Sequence, residues 1–135
     1  MDESLERQVR RRAGYRCEYC RIPEAFYQTP FELDHIIAKQ HGGPTVLGNL
    51  ALSCLHDNGH KGPNIAGLDP VTRKLTKLFH PRRHKWDRHF RWDGPYIVGR
   101  TAIGRATIAV LAMNDQDAVR AREELIAEGV FPPGS

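Results

Sequence analysis

Hydrophobic and polar positions along this chain follow two different spacings. Near the start, Leu5 and Val9 lie four residues apart among arginines, which predicts a short amphipathic helix that Ser4 caps and Gly14 ends. Apolar residues then alternate in short runs on either side of a glycine-rich loop. These runs predict two strands and a helix, at residues 31–37, 50–54 and 57–61.

The second half of the chain predicts a further strand, a hairpin and two helices. The hairpin is expected to turn at Asp93-Gly94, and the first of the two helices is expected to point Ile103, Ile108, Leu111 and Ala112 inward. The elements are expected at residues 74–79, 90–98, 101–113 and from 114 or 115 to 128. Strands in short hairpins beside separate helices indicate an α+β fold with flanking helices and a C-terminal hairpin-plus-helices extension.

Length and composition narrow the class of protein. The chain has 135 residues, 40% hydrophobic and 27% charged, which is typical of a soluble globular protein of one domain. We expect neither a membrane-spanning helix nor a secretory signal, because no long apolar run exists and the N-terminal segment, with Asp2 and Glu3, is acidic and lacks a hydrophobic core. A cytoplasmic location is the expectation, and three cysteines favour metal ligation over a disulfide framework.

The distribution of charge points to a polyanionic partner. Residues 1–113 hold 18 Lys and Arg against 11 Asp and Glu, a net charge of +7, whereas residues 114–135 hold 2 against 5. Such a basic excess favours nucleic acid through counterion release, without sequence selectivity. Candidate phosphate contacts are Lys61, Arg82, Arg83, Lys85, Arg88 and Arg91. Trp86 and Trp92 lie among them, and we expect core packing for both rather than stacking on bases.

An acid and a histidine at adjacent positions suggest hydrolytic chemistry. A neutral His35 can take a proton from water near neutral pH, and Asp34 is a candidate ligand for a divalent cation. Neighbouring side chains of an ideal strand face opposite ways. Both residues can therefore serve one site only if the strand bends or ends there.

The cysteines form a second candidate site. Cys17 and Cys20 make one knuckle, and Cys54 with Asp57 makes the other. The spacing predicts a structural zinc ion. Aspartate is an uncommon ligand in such a site, so His56 is an alternative fourth ligand, and three buried cysteines without zinc remain the other alternative.

Residues 16–63 resemble an HNH endonuclease of the ββα-metal type. The matching elements are the Cys17 to Cys20 pair, Asp34-His35, Gly42-Gly43, Asn49-Leu50, and the segment from Cys54 to Lys61, with Asp57 where the family usually has a fourth cysteine. The resemblance implies a nuclease core over 16–63 and an extension over 64–135. It also implies metal-dependent hydrolysis of DNA that leaves a 5′-phosphate and a 3′-hydroxyl.

The resemblance further assigns roles to individual residues. His35 is the general base, Asn58 the second ligand of the catalytic cation beside Asp34, and Asn49 the amide that holds the loop. Oxygen ligands suit Mg²⁺ or Mn²⁺. Some members of the family instead use a histidine later on the same helix as the ligand. In this chain that residue would be His60, and its imidazole would favour Ni²⁺ or Zn²⁺. We prefer Asn58 to His60, since the two positions point about 200° apart on a helix.

Two other functions are compatible with the same residues. A non-catalytic zinc-knuckle module that binds DNA would keep the cysteines and the basic residues without needing Asp34, His35 and Asn58 together. A degenerate HNH scaffold that binds a partner is the second alternative. A single nuclease site cuts one strand, so both a monomer and a homodimer are compatible with the sequence.

Overall fold

The computed structural model describes residues 2–132 and divides the chain into two compact units, Met1–Ile65 and Ala66–Ser135. The expectation that the whole chain acts as one nuclease domain stays a prediction. None of the helices among the described residues is long and apolar enough to cross a membrane.

The first unit contains two helices and one antiparallel pair of strands. In chain order they are α1 (Glu3–Arg12), β1 (Glu32–His35), β2 (Leu50–Ser53) and α2 (Leu55–Lys61). The cap of α1 is Asp2, which accepts a hydrogen bond from the Ser4 amide at 2.8 Å, so the predicted cap at Ser4 is wrong by two residues. Gly14 follows the helix with φ +66°, as expected of a helix end.

The strands pair in the predicted hairpin order, with Asp34 opposite Ala51 and His35 opposite Leu50. The free edge of β2 is covered by other parts of the unit. Glu18 donates its amide to the Leu52 carbonyl at 2.8 Å and accepts the Leu52 amide on its carboxylate at 2.8 Å. Arg12 donates to the Leu50 carbonyl at 2.6 Å. All four residues of β2 are buried, so this strand forms the centre of the first unit.

The second unit contains two hairpins and three helices. In chain order they are β3 (Ala66–Leu68), β4 (Leu75–Lys77), α3 (Trp86–His89), β5 (Phe90–Asp93), β6 (Tyr96–Gly99), α4 (Ala102–Leu111) and α5 (Gln116–Ala127). The hairpin β5–β6 turns after Asp93, as predicted. Strand β3 and the one-turn helix α3 were not predicted. The α+β class is confirmed.

The inward face of α4 agrees with the prediction at Leu111 and differs from it at Ile103 and Ile108. Its buried residues are Gly104, Ala106, Thr107 and Leu111, whereas Ile103 and Ile108 are only half-buried. Gly104 decides this orientation, since a Cβ there would lie 2.1 Å from the carbonyl oxygen of His89. The helix turns its smallest residue toward that backbone, and so the larger residues point to its flanks.

The tryptophans pack in an aromatic cluster of the second unit. Trp86 is buried, with its ring 5.0 Å from that of Trp92 and 5.1 Å from that of Phe90. The Trp92 ring also meets Phe131 edge-on at 5.0 Å. This arrangement agrees with the expected core role and not with stacking on bases.

Candidate nuclease site

A groove in the first unit brings together the residues with candidate chemistry. It has a volume of about 280 Å³ and lies where β1 ends. Its lining consists of Leu33, Asp34, His35, Ala38, Lys39, Asn58, Gly62 and Pro63. Three residues predicted to act together, at positions 34, 35 and 58, thus share one concave surface although they come from a strand and a helix.

His35 is the last residue of β1 and is held by the loop that follows. Its Nε2 lies 2.8 Å from the Thr45 hydroxyl oxygen. Partial burial and the nearby Lys39 ammonium lower the pKa of His35. The imidazole is therefore neutral near neutral pH, which is the form that can accept a proton.

Asp34 is almost fully buried and has two partners. The Tyr19 hydroxyl donates to Oδ2 at 2.6 Å, and the Lys61 ammonium donates to Oδ1 at 3.2 Å. Burial raises the pKa of Asp34, and the charge of Lys61 opposes that shift. These contacts fix the orientation of the carboxylate at the groove.

Asn49 clamps the loop between the two strands. Its Oδ1 accepts the amide of Ile37 at 2.9 Å, while Nδ2 donates to the carbonyls of Ile37 at 3.0 Å and Pro44 at 2.9 Å. Position 43 must be glycine, because a Cβ there would lie 1.7 Å from the Ile37 oxygen. Both ends of the loop are thereby tied to one buried amide.

Asn58 and His60 occupy different surroundings on α2. Asn58 lines the groove, and its Nδ2 donates to Glu32 at 3.1 Å, which directs the amide carbonyl the other way. His60 is exposed and is not part of the groove lining. Its Nδ1 lies 2.8 Å from the His56 carbonyl oxygen, and the two rings are 4.3 Å apart. The geometry favours Asn58 as the residue that faces the groove.

The three cysteines and Asp57 form a buried cluster. One ligand atom from each of these four residues lies within 4.8 Å of the others. Cys20 Sγ lies 3.8 Å from Cys54 Sγ, and Cys17 Sγ lies 3.2 Å from Asp57 Oδ2. Asp57, and not His56, is the fourth member. Among the described residues, its second oxygen Oδ1 is buried without a hydrogen-bond partner.

The electrostatics of this cluster fit a bound cation. Burial raises the pKa of Asp57. Burial also opposes ionisation of Cys17, but hydrogen bonds from Cys20 and Cys54 outweigh it and hold the pKa of Cys17 well below the usual range. Without a cation, four close acidic groups cannot all ionise in a buried site. A cation held by these four residues would remove that conflict and would give Asp57 Oδ1 a partner.

Residues 17–64 match the family model described as HNH endonuclease. The match covers the groove and the cysteine cluster, a little over a third of the chain. No curated protein and no solved structure gave a significant match. The HNH segment indicates a nuclease or another nucleic-acid-related function, in a family whose nucleases depend on metal ions and act on DNA.

Lys61 does not lie where a phosphate contact was expected. It is 1% exposed, and besides Asp34 its ammonium donates to the carbonyls of His35 at 3.3 Å and Ile36 at 3.1 Å. The charge that was predicted to meet DNA instead compensates a buried carboxylate within the HNH segment. A buried Asp34 needs such a partner, and so the lysine stem is folded inward.

The other basic candidates lie in the second unit. Arg83, Lys85, Arg88 and Arg91 are exposed, whereas Arg82 is half-buried with its Nε enclosed. Residues 1–65 hold 8 Lys and Arg against 8 Asp and Glu, while residues 66–113 hold 10 against 3. The net charge of +7 over residues 1–113 suggests that the basic excess accompanies the candidate site, but the excess lies outside the unit that holds the HNH segment.

Sequence reasoning missed the residues that orient the candidate site. Tyr19, Thr45 and Glu32 hydrogen-bond to Asp34, His35 and Asn58 respectively. Lys39 lines the groove. The position of Tyr19 between Cys17 and Cys20 was the one available signal, but it gave no indication of a contact 15 residues away.

Proposed function

We propose that the chain is a metal-dependent endonuclease that hydrolyses phosphodiester bonds in DNA. The observation that carries the proposal is the shared groove of Asp34, His35 and Asn58 inside the HNH segment. A binding module has no need for an oriented carboxylate, a neutral imidazole and an amide at one concave surface. A hydrolase requires such a set.

His35 is proposed as the general base. In the proposed tautomer the ring proton is on Nε2, where it is donated to the Thr45 oxygen 2.8 Å away, and Nδ1 accepts a proton from water. The lowered pKa of His35 keeps this nitrogen unprotonated near neutral pH. The contact with Thr45 also restricts rotation of the ring, so that the His35 side chain loses less rotational entropy when DNA binds.

Asp34 and Asn58 are proposed as the residues that hold a divalent cation. A carboxylate and an amide carbonyl are oxygen donors, which suit Mg²⁺ or Mn²⁺ and leave Ni²⁺ or Zn²⁺ to a site that recruits His60. When bound, such a cation polarises a phosphate and stabilises the leaving oxygen. Asn49 contributes by fixing the loop that carries Thr45, and thereby the ring of His35.

The cysteine cluster is proposed to hold a structural zinc ion. With Zn–S bonds of about 2.3 Å, two thiolates at tetrahedral positions lie about 3.8 Å apart. The Cys20 to Cys54 separation of 3.8 Å agrees with that geometry. The buried and unpartnered Asp57 Oδ1 supports a ligand at this place.

Plasmid nicking tests the proposed function. Purified protein is incubated with supercoiled DNA and Mg²⁺, Mn²⁺ or Ni²⁺, with a chelator as control. We expect divalent-dependent conversion to open circles with 5′-phosphate and 3′-hydroxyl ends. DNA binding without cleavage under every ion would favour the zinc-knuckle binding module, and the absence of both would favour the degenerate scaffold.

Asn58→Ala is expected to raise the Mg²⁺ concentration for half-maximal cleavage about tenfold or more. His60→Ala is expected to change it much less, because His60 does not line the groove. The measurement is the nicking rate as a function of Mg²⁺ concentration for both variants. The opposite order would assign the second ligand to His60.

Arg88→Ala and Arg91→Ala are each expected to weaken DNA binding and to reduce the salt slope of log K by about 1. Both residues are exposed in the basic part of the second unit. Fluorescence anisotropy at several salt concentrations measures the slope, with Arg120→Ala as the control, since Arg120 is an exposed arginine on the acidic helix α5. Equal slopes for all three variants would remove this segment from the DNA interface.

A further inference from the structure

Tyr19 occupies an unusual position between the two sites of the first unit. It lies inside the knuckle, between Cys17 and Cys20, and is fully buried. Its backbone amide donates to Cys17 Sγ at 3.4 Å, and its hydroxyl donates to Asp34 Oδ2 at 2.6 Å. A single residue therefore contacts the cysteine cluster through its backbone and the groove carboxylate through its side chain.

The knuckle is also fixed to the other strand of the hairpin. Glu18 exchanges two hydrogen bonds with Leu52 of β2, both at 2.8 Å. Two neighbouring residues of the knuckle thus reach β2 and the end of β1. The position of the Tyr19 ring is determined by the knuckle on one side and by the sheet on the other.

The two partners of Asp34 have different tasks. Lys61 supplies a positive charge, and it also holds the carbonyls of His35 and Ile36. Tyr19 supplies a short, directional bond to one carboxylate oxygen. A neutral donor fixes the rotation of the carboxylate without adding a charge that would repel a cation.

We propose that Tyr19 is a positioning residue that couples the cysteine cluster to the cation-binding carboxylate of Asp34. The inference rests on the proposed function and adds a dependence of the groove on the knuckle. Hydrogen bonds to a ligating carboxylate orient it, and their loss typically reduces metal affinity or activity about 10- to 100-fold. Through Tyr19, the orientation of the Asp34 carboxylate depends on the geometry of the knuckle.

The test compares Tyr19→Phe with Tyr15→Phe and the wild type. Phenylalanine keeps the buried ring and removes only the hydroxyl, and Tyr15, at 53% exposure, is a matched control near the knuckle. For each protein we measure bound zinc, the thermal midpoint, Mn²⁺ affinity by calorimetry without DNA, and the nicking rate against Mn²⁺ concentration.

We expect Tyr19→Phe to retain its zinc and to bind Mn²⁺ about 10- to 100-fold more weakly. The Mn²⁺ concentration for half-maximal nicking should rise, while the rate at saturating Mn²⁺ should fall less. Affinity equal to that of Tyr15→Phe would overturn the inference. Loss of zinc or of the fold in Tyr19→Phe would also overturn it, because the hydroxyl would then serve the knuckle and not Asp34.

A second variant tests whether Tyr19 affects Mn²⁺ affinity through Asp34 or through another residue of the groove. In an Asp34→Asn background, adding Tyr19→Phe should not reduce Mn²⁺ affinity further, and an additional loss would contradict action through Asp34. A wild type that binds Mn²⁺ but nicks no DNA would refute the proposed function and leave the Mn²⁺ comparison to decide the role of Tyr19. A wild type that nicks, with an unchanged Tyr19→Phe variant, would refute only the role of Tyr19.

Discussion

His35→Ala should reduce the nicking rate by about 10²- to 10⁴-fold, the usual contribution of a general base. The groove would keep Asp34 and Asn58, and the Lys and Arg residues of the second unit would be unchanged, so DNA affinity should stay at the wild-type value. The measurement is a single-turnover nicking rate together with a binding isotherm. Added imidazole should restore part of the rate, since the missing group is then supplied from solution.

The matched control for this variant is His41→Ala. His41 lies in the loop after β1, is exposed and does not line the groove. It should cleave like the wild type. Near-normal cleavage by His35→Ala, or an equal loss in both variants, would remove His35 from the mechanism.

Removal of the zinc ion proposed for the cysteine cluster should unfold or strongly destabilise the first unit. Structural zinc contributes about 10–16 kcal/mol of binding free energy in small zinc-finger peptides, and that free energy is coupled to folding. A chelator is therefore expected to lower the thermal midpoint by at least about 10 °C, the shift that corresponds to about 2 kcal/mol in a small domain. Scanning calorimetry and zinc content by mass spectrometry measure both quantities.

Two substitutions make this experiment specific to the cluster. Cys54→Ser should start at the lowered midpoint and should not respond to the chelator. Asp57→Cys should keep its zinc and melt above the wild type, because a thiolate binds Zn²⁺ more strongly than a carboxylate. The contrary outcome is a wild type that contains no zinc and an Asp57→Cys variant that gains neither zinc nor stability. It would show that the cysteines are packing residues and not metal ligands.

The features predicted from sequence are those that depend on local spacing. The spacing of Cys17 and Cys20 and the succession of strand, loop, strand and helix are set by residues close in the chain. The contact of Tyr19 with Asp34 and the burial of Lys61 depend on tertiary packing, which no periodicity reveals. Strand β3 was missed because a three-residue run with a central glycine has little β propensity.

The inward face of α4 was predicted correctly at Leu111 but not at Ile103 and Ile108, for a related reason. Hydrophobic spacing favoured the isoleucines, but close approach of the His89 carbonyl to Gly104 determined the rotation of the helix. Backbone contacts between distant segments carry no signature in the pattern of apolar residues. The residues that orient His35 and Asn58 escaped prediction in the same way, since Thr45 and Glu32 are ordinary loop and strand residues by type.

The covered edge of β2 has a consequence for self-association. A two-stranded sheet leaves backbone donors and acceptors that can recruit a strand from another molecule. In the first unit, Glu18 occupies both backbone groups of Leu52, and Arg12 occupies the carbonyl of Leu50. A backbone amide, a carboxylate and a guanidinium thus stand in for a third strand on the most apolar segment of this unit. The Glu18 backbone amide and these two charged side chains thereby block the edge from pairing with a strand of another molecule. If the side chains were displaced, water would readily hydrate them.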